Sequence, residues 1–475
     1  AKEILFVAKH TGGFCWWQTQ TTSYGIKDTP YKNGNGDVLK ELSVSCKKFG
    51  LNLGIYVYPG DENWGAGIGS GGLTSDPSKQ AAYNKVYRKQ LTEVLTNYGN
   101  MLEVWFDGSC KIEVSDILEK YAGNSVILQG PKANLRWPGT ETGKLFYPAW
   151  NTVSKADLNT GVSTQLHGDP DGDAWAPLEA DTPLYNHFWF WAQYKESKRK
   201  TLDELMECYY KSAGYGGVLL LNSTPDTTGL IPADDVKLYK AFGDEINHRF
   251  KTPIAELSKK AGNMVTLDFH SKQKINHIIT MEDYRQGQRI RSYKIEGLVD
   301  GNWQELCSGQ SIGRKKIDYF PEVEVSKIRL NVDKHVGTPL VRKLSAYYVD
   351  GFIAPPKNPI SPYSEWAKIA SWEQSKWSDG QLKLAIDLSK KIKLPGQYTV
   401  KLVPENKETK IEIISAEIHY EGRKALDEFV TIKGSEISIN RTAMVTDEST
   451  SVLYITIKCN EKCAGKVNFR PALIY

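Results

Sequence analysis

The chain reads as an α/β domain followed by two all-β domains, and three observations predict it. Apolar runs of strand character alternate with helix-period segments through roughly the first 250 residues. After HRFKTPIAELSKKAG the helical period stops, and short alternating runs separated by polar turns take over. The stretch GFIAPPKNPISPYS, with four prolines, then divides what remains. The expected architecture is a (β/α)8-like barrel over 1–250, a β-sandwich over 251–352, a linker over 353–365 and a second β-sandwich over 366–475.

Ile4–Ala8, Leu53–Tyr58, Leu102–Phe106, Val126–Gln129, Leu145–Ala149 and Val218–Asn222 read as the barrel strands. In DVLKELSVSCKKFG, Val38, Leu39, Leu42 and Cys46 share one face and Gly50 stops the helix. KQAAYNKVYRKQLTEVLTNYG repeats that pattern, and TLDELMECYYKSAG precedes the run VLLLN. Strand, helix and strand joined by short loops predict a parallel sheet wound by helices. Ile4–Ala8 reads as the second strand of such a barrel, so the first strand–helix unit is expected to be absent from this chain. Beyond it, MVTLDFH, KINHIITM, SYKIEGLV and KIRLNV predict the first sandwich, and QYTVKLV, KIEIISAEIHY and VLYITIKC the second.

Composition narrows the function. The 475 residues are 40% hydrophobic and 24% charged, with a mean hydropathy of −0.44. A net charge of +4, not gathered into a basic tract, argues against a nucleic-acid partner. No run of about 18 apolar residues is present, so no membrane span is expected. Seven sparse cysteines show no paired zinc spacing, so neither a metal nor any other cofactor is expected. Cys459 and Cys463 bracket a turn-like stretch and could bridge in an oxidising compartment. Thirteen tryptophans and 25 tyrosines suit either stacking on sugar rings or sandwich cores.

The stretch MLEVWFDGSC places Asp107 directly after a strand and before Gly108. In a (β/α) barrel, strand ends carry the catalytic groups, which makes Asp107 either a carboxylate at the barrel mouth or the cap of a following helix. Four other stretches offer aromatic and hydrogen-bonding groups at strand ends. AKHTGGF carries His10, GIYVYP sets Tyr56 and Tyr58 at one parity, LRWPGTETG carries Arg136, Trp137 and Glu141, and WAPLEAD carries Trp175 and Glu179. Stacked rings with convergent polar groups suit a sugar, and two carboxyls are the minimum for glycosidic cleavage.

In order along residues 1 to about 250, KH-x-x-GF-C-x-W, GDVLKELSVSCKKFGLNLGIYVYP, EVWFDG, RW-x-G-x-E, W-x-P-x-E and VLLLNSTPDTTGLI resemble the α-L-fucosidases of glycoside hydrolase family 29. The RW-x-G-x-E and W-x-P-x-E elements are similar to the branch that prefers α-1,3/1,4-linked fucose. The resemblance implies a fucosylated glycan as substrate, Asp107 as nucleophile, Glu141 as general acid/base, and His10 as the holder of a fucose hydroxyl. It also implies a periplasmic or secreted protein. The family pattern has two adjacent histidines and an aspartate where this chain has His10, Thr11 and Gly12, which shifts one sugar contact to Trp16 or Trp17. Further on, HIITMEDYRQGQRIRSYKIEGLVDGNWQELCSG and SKIRLNV resemble the discoidin, or factor 5/8 C-type, sandwich, which implies a carbohydrate-binding or packing module.

The implied mechanism is double displacement between carboxyls ~5–5.5 Å apart. Glu179, behind Trp175 and Pro177, is the rival acid or a ligand of the branching sugar. Arg136 is read as a sugar ligand or as a group that keeps a carboxylate ionised. GDPDGDAW has alternate aspartates but lacks the glutamate of a full calcium loop, so it reads as an acidic turn, with His167 beside it a surface histidine. The glycine-rich loop Asp61 to Pro77 and the tryptophan-bearing segment Trp175 to Trp191 are long enough to overhang the mouth. Two other functions fit the same residues: a catalytically silent carbohydrate-binding protein, and a retaining glycosidase for a related sugar such as L-galactose.

Overall fold

The computed structural model describes residues 1–158, 167–185, 188–193, 198–355, 366–392, 396–406, 408–425, 427–441 and 450–474. Most of the expected linker, 356–365, lies outside the described residues. In the first part, β1 (Glu3–Lys9), β2 (Asn52–Val57), β3 (Glu103–Trp105) and β4 (Val126–Leu128) form a parallel sheet in chain order. A parallel pair follows, β5 (Glu179–Pro183) and β6 (Val218–Asn222). The two-residue segment Leu135–Arg136 joins the sets, because Leu135 bridges Leu128 and Arg136 bridges Leu178, both in parallel sense. Leu5 of β1 and Leu220 of β6, at opposite ends of this ladder, pack into one interior with Tyr56, Tyr58, Trp105 and Leu128, so the ladder curls around its own apolar face.

The helices form where the sequence supplies caps. α1 (Val38–Phe49) starts at Asp37, whose carboxylate accepts the Lys40 N–H at 2.8 Å, and stops at Gly50 in the left-handed region (φ 66°). α2 (Pro77–Asn97) places proline in its first turn after Asp76 and buries Tyr83, Tyr87, Leu91, Val94 and Leu95. α3 (Ser115–Tyr121) is short. α4 (Leu202–Lys211) opens with a reciprocal Thr201–Glu204 capping box, and α5 (Ala233–Phe250) closes this part.

One expected strand is wrong. Leu145–Ala149 has no ladder; Leu145 and Ala149 pack against Leu178 and Ala180 as buried loop residues. The strand at that place in the sheet is Glu179–Pro183, fully buried despite two acids and a proline.

The second part is a six-stranded antiparallel sheet of β7 (Ala255–Ala261), β8 (Met264–Glu282), β9 (Ile290–Val299), β10 (Asn302–Gly309), β11 (Lys316–His335) and β12 (Leu340–Tyr347), in the order β10-β9-β11-β8-β12-β7. The pairing of β8 with β11 breaks register twice, and the bent strands wrap a core that includes Val265, Ile275, Ile295, Ile328 and Leu344. It is bonded to the first part. Asn151 N donates to Gln288 Oε1 at 2.6 Å, and the buried Lys316 ammonium reaches Asp318 at 2.6 Å while facing the rings of Tyr147 and Tyr215. The third part packs a five-stranded and a four-stranded antiparallel sheet around one core holding Tyr398, Ile437 and Phe469 with Leu382, Ile418 and Ile455. All seven cysteines, Cys459 and Cys463 included, are free thiols.

Candidate active site

Asp107 stands two residues beyond the end of β3, exposed, with a left-handed backbone (φ 53°) followed by Gly108 at φ 106°. A non-glycine residue held there costs about 1–2 kcal/mol relative to the right-handed region. The turn is held from the neighbouring strand end, where Gln129, itself at φ 61°, accepts the Gly108 N–H on Oε1. Asp107 does not cap a helix, because α3 begins seven residues after Gly108 and is preceded by Val114. Its carboxylate instead accepts the Tyr56 hydroxyl at 2.6 Å.

Tyr56 and Tyr58 share the inward face of β2, as their parity requires. The His10 ring lies parallel to both, at 5.4 Å and 11° from Tyr56 and 5.5 Å and 12° from Tyr58. The Thr11 N–H donates to His10 Nδ1 at 2.8 Å. A backbone N–H can only donate, so the neutral imidazole carries its proton on Nε2. Burial lowers the His10 pKa, with the Asp107 charge opposing, which favours that neutral form. Thr11, standing where the related pattern has a second histidine, thus orients the first. Beneath it Lys9 is wholly buried, bonded to Tyr83 Oη at 3.0 Å and 3.7 Å from Asp61. The Tyr58 hydroxyl accepts the Gly69 N–H at 2.8 Å, which ties the glycine-rich loop to the same strand end.

Glu141 is half-buried and accepts the Trp189 indole N–H on Oε2 at 3.1 Å. Burial raises its pKa and the charge of Asp107 raises it further, with the Trp189 bond opposing. Trp137, four residues earlier, donates its N–H to Asp181 Oδ1 at 2.7 Å, and burial pushes the Asp181 carboxyl far up. Phe190, 66% exposed, meets His10 edge-on at 6.2 Å.

Other expected site residues lie elsewhere. Glu179 is not in a mouth loop: it opens β5, 2% exposed, accepts the Trp105 N–H at 2.9 Å, and is pushed by burial to a pKa of about 7. Arg136 is 2% exposed, and its guanidinium is bonded to the carbonyls of Ala176 (2.8 Å) and Trp150 (2.5 Å), so it clamps loop backbone rather than presenting itself to a sugar. Trp17 is fully buried and bonded to Glu93 at 3.0 Å, which removes it as a sugar contact; Trp16 is 40% exposed and packs edge-on to Phe14. Trp175 stacks on Tyr284 of the second part at 5.4 Å and 10°. His167 is half-buried, its Nδ1 2.7 Å from the Pro148 carbonyl. The aspartates of the acidic turn cap local backbone, Asp169 accepting from Asp171 N and Asp173 from Lys155 N.

Trp105 and Asp181 join the site without having been expected there, and Thr11, Trp189 and Phe190, which lie in stretches the sequence had marked, take roles it did not assign them. Asp181 carried a signal of its own, two residues from Glu179 on one strand face.

Comparison with known proteins shows what the chain is similar to. Residues 1–248 match the family described as alpha-L-fucosidase, and residues 247–343 match the F5/8 type C domain. Alpha-L-fucosidase 1 of Arabidopsis thaliana is 28% identical over 404 residues, covering 75% of this chain and 77% of the plant protein. A crystal structure of a candidate alpha-L-fucosidase from Bacteroides thetaiotaomicron VPI-5482 is 36% identical with a TM-score of 0.69, covering 74% of this chain and 84% of that one. A Ruminococcus gnavus GH29 fucosidase in complex with fucose is 26% identical with a TM-score of 0.64, covering 74% and 83%.

Proposed function

The chain belongs to the alpha-L-fucosidase family of glycoside hydrolases, and from that premise we propose that it is a retaining exo-α-L-fucosidase cleaving α-1,3- or α-1,4-linked L-fucose from branched glycans. The observation that carries this reading is a pair of carboxyls of opposite character. Asp107 is exposed and receives a hydroxyl, whereas Glu141 is half-buried and pushed up by burial and then by the Asp107 charge. Environments that separate two carboxyls assign one as nucleophile and the other as acid.

On this reading the curled parallel ladder is a (β/α)8-like barrel with its mouth at the Asp107 end. Asp107 attacks the anomeric carbon while Glu141 gives its proton to the departing oxygen. Water then attacks the fucosyl ester, passes a proton to Glu141, and releases fucose with its starting configuration. Fucose bound in the Ruminococcus gnavus structure supports the choice of sugar. His10, protonated on Nε2, offers a donor to a ring hydroxyl, and Tyr58 and Trp137 line the same interior. The Tyr58–Gly69 bond brings the glycine-rich loop to the mouth, which supports an aglycone site and hence a branched substrate. The 251–352 and 366–475 units are read as accessory β-domains of a periplasmic or secreted enzyme.

Following hydrolysis of a Lewis-type trisaccharide by NMR tests this reading. It requires α-fucose as the first anomer and a higher kcat/KM than for 4-nitrophenyl α-L-fucoside; β-fucose first, or no cleavage of the trisaccharide, overturns it.

A further inference from the structure

Trp189 lies between β5 and α4, outside every motif that carries the family resemblance, yet its indole N–H reaches Glu141. The next residue, Phe190, touches His10. Two consecutive residues therefore contact two different residues of the candidate site.

We propose that Trp189 is a positioning residue for Glu141: its N–H holds Oε2, so that Oε1 is the atom that gives and retrieves the proton at the leaving oxygen. The inference rests on Glu141 being the acid/base. Double displacement asks this one carboxyl to be an acid in the first step and a base in the second. The titratable groups recorded as facing Glu141 among the described residues are Asp107, beyond β3, and Asp181, on β5. Both are carboxyls, and burial and the Asp107 charge favour the protonated state. The Trp189 N–H opposes them, because donation to a carboxylate stabilises the ionised form. It also fixes the rotation of a side chain that otherwise turns freely about its last bond.

The test uses the full chain with W189F, which keeps a ring and removes the donor. The alkaline limb of kcat/KM should move up by about one pH unit. On oligosaccharides kcat/KM should fall roughly tenfold. With 2,4-dinitrophenyl fucoside, whose leaving group needs no proton, fucosylation should change far less. W189H, which restores a ring N–H, should return the limb toward its original position. W189M, also without a donor, gives the same readout should W189F fail to fold. A folded donor-free variant with an unmoved alkaline limb and no leaving-group dependence overturns the proposal. Azide rescue of E141A separates the two claims: rescue with an unmoved limb discards only Trp189, whereas absence of rescue discards the Glu141 reading and this inference with it.

Discussion

The Tyr56 hydroxyl donates to Asp107 Oδ2 across 2.6 Å, joining the inner face of β2 to the residue just beyond β3. Burial, with the Asp107 charge adding to it, holds the phenol pKa above its usual value, so Tyr56 remains a donor over the whole working range of a glycosidase.

Tyr56→Phe should therefore reduce kcat/KM by roughly tenfold to a hundredfold, the loss of one charge-assisted bond to the proposed nucleophile, while the fold survives. Steady-state kinetics beside thermal melting checks it; an unchanged kcat/KM would detach Tyr56 from the chemistry.

With Glu141 as the proposed acid, its raised pKa should set the alkaline side of the pH profile. The first step needs the protonated acid, so kcat/KM should fall as pH rises through a value above the ordinary carboxyl range. Glu141→Ala should abolish that limb and slow poor leaving groups far more than activated aryl fucosides. A limb that persists in Glu141→Ala would assign it to another group.

Glu179 should behave oppositely. Burial raises its folded pKa above the ordinary 4.5, and the neighbouring buried carboxyl of Glu103 is raised with it, so as pH climbs above that ordinary value the folded chain holds more protons than the unfolded one and stability falls. Glu179→Gln should lessen that slope, leaving the share that Glu103 contributes, and raise stability at the upper end of the range. Melting temperature from pH 4 to 8 reads the difference. Azide should have no effect on Glu179→Ala, and a β-fucosyl azide product from it would make Glu179 the acid/base.

These contrasts show how far the residues speak before folding. The helices were legible because Asp37, Gly50, Pro77 and Thr201 with Glu204 mark their ends. The two carboxyls proposed as the catalytic pair come from motif resemblance, and Asp107 was also singled out by its place after an apolar run. The strand Glu179–Pro183 was not, because its acids read as loop polarity, whereas inside the sheet Trp105 and Trp137 supply the N–H donors that make them tolerable. Arg136 was hard to place for a related reason: it is bonded to the backbone carbonyls of Ala176 and Trp150, which no sequence pattern displays. Leu145–Ala149 has the burial of a strand and none of its ladder.

The junction of the first two parts carries its own expectation. Burial disfavours the Lys316 charge, but Asp318, Tyr147 and Tyr215 together raise its pKa above the usual value. Lys316→Met leaves Asp318 buried without its cation, which should cost about 3–5 kcal/mol. Calorimetry should show the two parts melting together at lower temperature; an unchanged first transition would mean that they fold independently.

The most direct test of the account is to trap the covalent intermediate. Incubation with 2-deoxy-2-fluoro-L-fucosyl fluoride, followed by intact mass and peptide mapping, should show one fluorofucosyl group, attached to Asp107 and absent from Asp107→Asn. An adduct on another carboxyl, or turnover with none formed, would contradict it.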